Sequence, residues 1–264
     1  MREVVLKLEV SDGWFKVWQQ LFCGDGAELT RRLYEIAGKD QVLAWTIANA
    51  VRLPNIRKPE HAGYLSRQLQ ELSRQVGGDP DAIARWRIVH ALSAFGDTEY
   101  AAEVVRERLD DKREYIWVRY GAGRSLVEMA ATQTGARRQE LLGWLAASTQ
   151  GIAAAVPQAE GESRETLLRI LREIGRSVLY QNVRHPDDWV DAVTPLVEKV
   201  SLLIQGHPRY GQRWRDEVLA PFLKGEWVGK APSVATVERM RRNGVHLPDA
   251  QPPDNAPPLP PASV

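Results

Sequence analysis

The chain has 264 residues, 44% of them hydrophobic and 26% charged, and a formal net charge of +1. That length can bury a sizeable core, and so nearly neutral a chain is not a dedicated nucleic-acid coat, which would be strongly basic. Cys23 is the single cysteine, which excludes an intrachain disulfide, suits a reducing compartment and, beside Phe22 in an apolar run, reads as a buried thiol rather than a reactive one.

In chain order, Val4, Leu6, Leu8 and Val10 alternate with polar residues and predict one short strand within a segment 1–13. After Asp12-Gly13 the apolar period becomes helical. Helices are expected near 14–22, 26–37, 39–52, 61–76, 80–96, 98–110, 114–132, 136–155, 162–182, 187–205, 212–223 and 233–243. The breaks between them carry turn chemistry: Pro54 and Pro59, Gly77-Gly78-Asp79-Pro80, Gly96-Asp97, Gly135, Gly161, His185-Pro186 and Gly206-His207-Pro208. From Pro248 to Val264 seven of 17 residues are proline, which predicts a disordered or polyproline-II tail following a helical domain over 14–247. No apolar run approaches the ~18 residues of a membrane span, and the N-terminus shows no secretory h-region. The expectation is a soluble, cytoplasmic, all-α protein with no membrane contact.

The helices contain a repeat. "LYEIA" (33–37), "LSAFG" (92–96), "LVEMA" (126–130) and "LREIG" (171–175) share a leucine, two variable residues, a large apolar residue and a final alanine or glycine. Seven positions before the leucine stands Arg85, Arg119 or Arg164 in the last three copies, and Gly26 in the first. Helical geometry puts Val118, Ala122, Ser125, Leu126 and Met129 on one face. The matching sets are Ala84, Ile88, Ala91, Leu92 and Phe95, and Ser163, Leu167, Ile170, Leu171 and Ile174. Small residues there let a neighbouring helix approach. The arginine lies at the edge of the face in the first helical turn, badly placed for its own helix dipole, so it needs a turn carboxylate or a carbonyl from an adjacent unit. Trp144 and Trp189 are expected in the core.

This pattern resembles the HEAT-repeat family. "VRYGAGRSLVEMA" (118–130) carries the resemblance best, through Val118, Arg119, Ala122, Leu126, Met129 and Ala130. The family favours an aspartate six residues before the arginine. Asp79 meets this for Arg85, whereas Arg113 and Gln158 stand there in the other copies. The resemblance covers about 79–180. It implies an α-solenoid of stacked antiparallel helix pairs whose extended concave surface binds a partner. Uneven spacing argues against tetratricopeptide units, which hold a period of ~34 residues.

No metal-ligand spacing joins the five histidines, and H-E-x-x-H, C-x-x-C, G-x-S-x-G and phosphate-loop motifs are missing. "GAG" at 121–123 lies within a helix and follows no strand, so it is not a dinucleotide fingerprint. No catalytic residue, metal or cofactor is assigned. The expected function is a non-catalytic scaffold or adaptor for a protein partner with an acidic segment. The alternative is a nucleic-acid binder or a HEAT-like alkylpurine DNA glycosylase, whose helix openings Trp117-Val118-Arg119 faintly resembles; a HEAT-like bilin lyase has no supporting feature.

One column of residues is the candidate binding surface. Two positions before each pentad leucine stand Arg31, His90, Arg124 and Arg169, on the side away from the packed face. Trp86 and Tyr120 flank the column, and Arg172 and Arg176 are expected as exposed neighbours in the last copy. Basic residues among aromatics suit an acidic peptide, or alternatively a phosphate backbone. A merely solvated helix face is the competing reading.

Overall fold

Helical periods broken by glycine and proline give helices where the turn chemistry leaves room for them. The structure is a computed structural model that describes residues 57–74, 82–179, 188–226 and 230–248. Among these residues the chain is helical, with no strand. The helices are α1 (Pro59–Leu72), α2 (Ala82–Leu92), α3 (Glu99–Asp110), α4 (Ile116–Thr132), α5 (Gly135–Ala155), α6 (Gly161–Ser177) and α7 (Trp189–Ile204). After them come α8 (Gly211–Trp214), a π-helical turn (Arg215–Leu219), α9 (Ala220–Lys224) and α10 (Val234–Arg242). The expected strand, the three helices before residue 57, Cys23, the first pentad with Arg31, Asp79 and the tail beyond Pro248 lie outside the described residues.

Gly135 and Gly161 open α5 and α6 with φ of +54° and +50°, a left-handed backbone that glycine adopts without cost. The helix expected over 80–96 ends at Leu92 and tightens into a 3₁₀ turn, Ser93–Phe95. The single helix expected over 212–223 is interrupted by the π turn. Pro221 follows it and lacks the N–H that a regular helix would direct at residue 217.

The helices pack in two alternating rows. α1 lies on α3, α3 on α5 and α5 on α7; α2 lies on α4, α4 on α6, and α6 on the π turn. Contacts within its row and across to the other bury α4 against α2, α3, α5 and α6 together. That position requires an apolar surface on nearly every side, and α4 has it, with buried residues at Val118, Gly121, Ala122, Gly123 and continuously from Ser125 to Ala131.

The pentads explain the approach of helices within a row. Leu92, Leu126 and Leu171 are all fully buried. Gly96 closes the first described pentad, and a Cβ there would stand 3.0 Å from Met129, the fourth residue of the next pentad. A Cβ at Gly123 would stand 2.5 Å from Ile174 Cγ1, the fourth residue of the pentad after that. The backbone and Cβ of Met129 thus come close at Gly96, and the Ile174 side chain occupies the notch at Gly123. Ser125 adds a polar tie, its Oγ donating to the Val89 carbonyl at 3.0 Å.

Three expectations about packing need correction. Ser163 is exposed and Leu167 only partly buried, because no described helix seals the start of α6 as α2 and α6 seal α4. Trp144 is half-buried, with the Arg106 and Arg137 guanidiniums 5.4 and 5.6 Å from its ring centre. Trp189 is in the core as expected, its indole N–H donating to the Val178 carbonyl at 3.0 Å.

Candidate functional site

The basic column runs along α2, α4 and α6. His90 is half-buried, while Arg124 and Arg169 are exposed. Trp86 meets Trp117 edge-on at 5.8 Å, with the Arg87 guanidinium 4.4 Å from the Trp86 ring centre. Trp86 also seats on α4 at Gly121, where a Cβ would be 2.7 Å from Cδ1, so a good part of this side chain serves packing. Tyr120 is half-buried, and burial pushes its phenol above its ordinary pKa; Arg169 pulls it down and Glu173 pushes it up.

An acidic counter-column accompanies the basic one. Arg124 Nε donates to Glu128 Oε1 at 3.0 Å, and His90 Nδ1 lies 4.0 Å from Glu128 Oε2. Glu128 is only 7% exposed. In α6, Glu173 lies 2.7 Å from Arg172 and 3.8 Å from Arg176. Glu128 and Glu173 are the third residues of their pentads, and Glu35 holds that place in the first. The glutamate stands four residues after the column position and was legible as an i,i+4 partner, although the pentad alone reads that position as variable.

Arg172 is a correction. Expected as an exposed neighbour of the column, it is 7% exposed. Nη1 donates to Glu173, and Nη2 to Glu217 of the π turn. Its position flanks Leu171, and the segment packed on α6 covers that flank. Arg176 is half-buried rather than exposed.

What remains open is the α6 end of the column. Arg169 makes no hydrogen bond or ion pair with any described residue. It lines a depression of about 260 Å³ with Arg172, Arg209 and Arg213, and with Glu162 and Glu165. Three of these arginines are engaged: Arg172 with Glu173 and Glu217, Arg209 at 3.0 Å from Glu165, and Arg213 at 3.5 Å from Glu217. Arg172 Nε is buried there with no hydrogen-bond partner. Arg209 and Arg213, four residues apart, come from the segment that follows α7, and no pentad register points to them. Among the described residues no helix is long and apolar enough to cross a membrane, and no group of three or more His, Cys, Asp or Glu side chains could hold a metal ion.

No protein-family model, curated protein or solved structure matches this chain.

Proposed function

We propose that the chain is a HEAT-like α-solenoid that works in the cytoplasm as a non-catalytic scaffold, holding an acidic segment of a protein partner along the row of α2, α4 and α6. The observation that carries this reading is Arg169, an exposed cation without a described partner, set in one depression with Arg172, Arg209 and Arg213. A carboxylate-rich segment gains charge-assisted hydrogen bonds there at little desolvation cost. The two-row packing, with the pentad leucines buried at equivalent places, supports the solenoid part of the reading. Glu128 offsets the charge of His90 and Arg124, so the binding energy concentrates at the α6 end, where Arg169 has no described partner.

The test is titration of the full chain with a fluorescein-labelled octaglutamate peptide, alongside octalysine and a DNA duplex. Octaglutamate is expected to bind, with affinity falling as salt rises and about tenfold or more lost in Arg169→Glu with Arg213→Glu, while the thermal midpoint holds. Unchanged affinity in the double variant, or no binding of octaglutamate, overturns the reading. Tight binding of the duplex at ~100 mM salt in place of octaglutamate assigns the surface to nucleic acid instead.

A further inference from the structure

A second opening lies beside the starts of α4 and α6, against one face of α5 and the end of α3. It is a cavity of about 810 Å³. It exists because Ala147, Gly151 and Ala155 recur every four residues on α5, leaving no large side chain on the stripe that faces α6. From α6, Leu167 only partly fills the space. Ile152, 5% exposed, gives an apolar wall.

Two largely buried side chains offer this cavity free hydrogen-bonding capacity: the Ser148 Oγ is wholly enclosed without a partner, and the terminal nitrogens of Arg119, which are not wholly enclosed, make no hydrogen bond to a described residue. Arg119 is 6% exposed; its Nε donates to the Leu109 carbonyl at 3.0 Å, and its terminal nitrogens donate to no described residue. Burial depresses its pKa, while the charges of Asp110, Asp111 and Glu114 oppose that shift. These carboxylates are committed elsewhere: Asp110 lies 3.4 Å from Arg106, Asp111 3.1 Å from Arg113, and Glu114 2.9 Å from Arg85. Ser148, 5% exposed, has an Oγ with no hydrogen-bond partner.

The repeat shows what is missing. At the same register Arg85 is held bidentate by Glu114, with Nε to Oε2 at 3.0 Å and Nη2 to Oε1 at 2.9 Å. Glu114 stands twelve residues before Leu126; twelve before Leu171 the chain has Ala159, which carries no carboxylate. The lining brings three cations, Arg106, Lys112 and Arg119, against Asp110 and Glu162. That balance favours a single negative charge over a dianion such as phosphate.

We infer that this cavity binds an amphipathic organic monocarboxylate, its carboxylate held by Arg119 and Ser148 and its hydrocarbon chain lying along the Ala147–Gly151–Ala155 stripe and Ile152. The ligand carboxylate takes the role at Arg119 that Glu114 plays at Arg85. This site is separate from the acidic-segment surface and does not depend on it.

The experiment is calorimetric titration of the full chain with decanoate, decanol and acetate. Decanoate is expected to bind one per chain, with decanol and acetate each weaker by about tenfold or more, since the charge-assisted hydrogen bonds and the buried chain each carry at least that much. Arg119→Met is expected to remove the preference for decanoate over decanol. Because that variant also loses the bond to Leu109, Gly151→Leu provides the second arm. A Cβ at Gly151 meets no atom within 4 Å, so the leucine fills the cavity without a clash. It is expected to abolish decanoate binding while the thermal midpoint holds or rises. No saturable heat up to about 1 mM decanoate, equal affinity for decanol, or an unchanged Kd in Gly151→Leu overturns the inference.

Discussion

Arg85 at the start of α2, Arg119 at the start of α4 and Arg164 at the start of α6 occupy one register position, yet they meet three different surroundings. Arg85 is fully buried, bidentate to Glu114, and donates to the Leu72 carbonyl at 3.2 Å. Arg119 is nearly as buried but reaches one carbonyl. Arg164 is exposed, and its side chain makes no hydrogen bond or ion pair with a described residue. The difference follows the next unit along the row. The turn before α4 supplies a carboxylate to Arg85, the turn before α6 supplies Ala159 to Arg119, and nothing described closes over Arg164. An identical residue at an identical helical position is therefore a buried ion pair, an unfilled donor or a solvated cation, according to what its neighbour offers.

The strongest way to break this comparison is to remove the carboxylate. Glu114→Ala leaves Arg85 charged and buried, and chemical denaturation should show a loss of about 3–5 kcal/mol. The corresponding truncation of the solvated arginine, Arg164→Ala, should stay within about 0.5 kcal/mol. A similar loss in both variants would mean that the register, not the neighbour, sets the energy.

Next in size is the packed face. Leu126→Ala removes a side chain enclosed on every side and should cost about 2–5 kcal/mol. Leu167→Ala, on the partly open start of α6, should cost less than about 1.5 kcal/mol, because its site already borders a cavity. Equal costs measured by the same denaturation would show that α6 is as tightly sealed as α4.

A smaller effect separates a buried cation from a buried base. His61 is fully buried in the first turn of α1, and its Nδ1 accepts from the Lys58 N–H at 3.3 Å. Burial first, and Lys58 second, lower its pKa from 6.5 to about 4, with Glu60 opposing. The unfolded chain then binds a proton more readily than the folded one. Stability is complete above about pH 6.5 and declines as pH falls toward 4, by at most about 3 kcal/mol. His61→Gln should flatten that part of the stability–pH curve, and an unchanged slope would remove His61 as its source.

The smallest expected effect concerns the column itself. Arg169→Ala should change stability by less than about 0.5 kcal/mol, since the side chain is exposed and without a described partner. Arg172→Ala should cost more than Arg169→Ala, because it leaves Glu217 and Glu173 without the guanidinium that joins α6 to the π turn. Thermal melts of the two variants side by side distinguish the exposed cation from the structural one.

Much of this was legible in the residues. The segment expected over 98–110 is helical from Glu99 to Asp110, and that over 114–132 from Ile116 to Thr132, because apolar spacing and turn glycines are local properties. The burial of Leu92, Leu126 and Leu171 followed from the same spacing. The candidate site was legible only in part. Arg124 and Arg169 are exposed as the helical period requires, but Arg172 is covered by the segment after α7, which no spacing within α6 reveals. Arg209 and Arg213 reach the depression from outside the repeat altogether.

Sequence by itself determined most of the described helices and the buried face of α2 and α4, because side-chain period and size act within a few residues along the chain. Only the tertiary structure decided which of the first-turn arginines carry a partner, where the cavity beside α5 stays open and how closely helices meet at Gly96 and Gly123. Burial and ion pairing depend on distances between helices that lie tens of residues apart in the chain. The exchange of one turn residue, Glu114 in one unit and Ala159 in the next, changes the surroundings of a cation on a different helix.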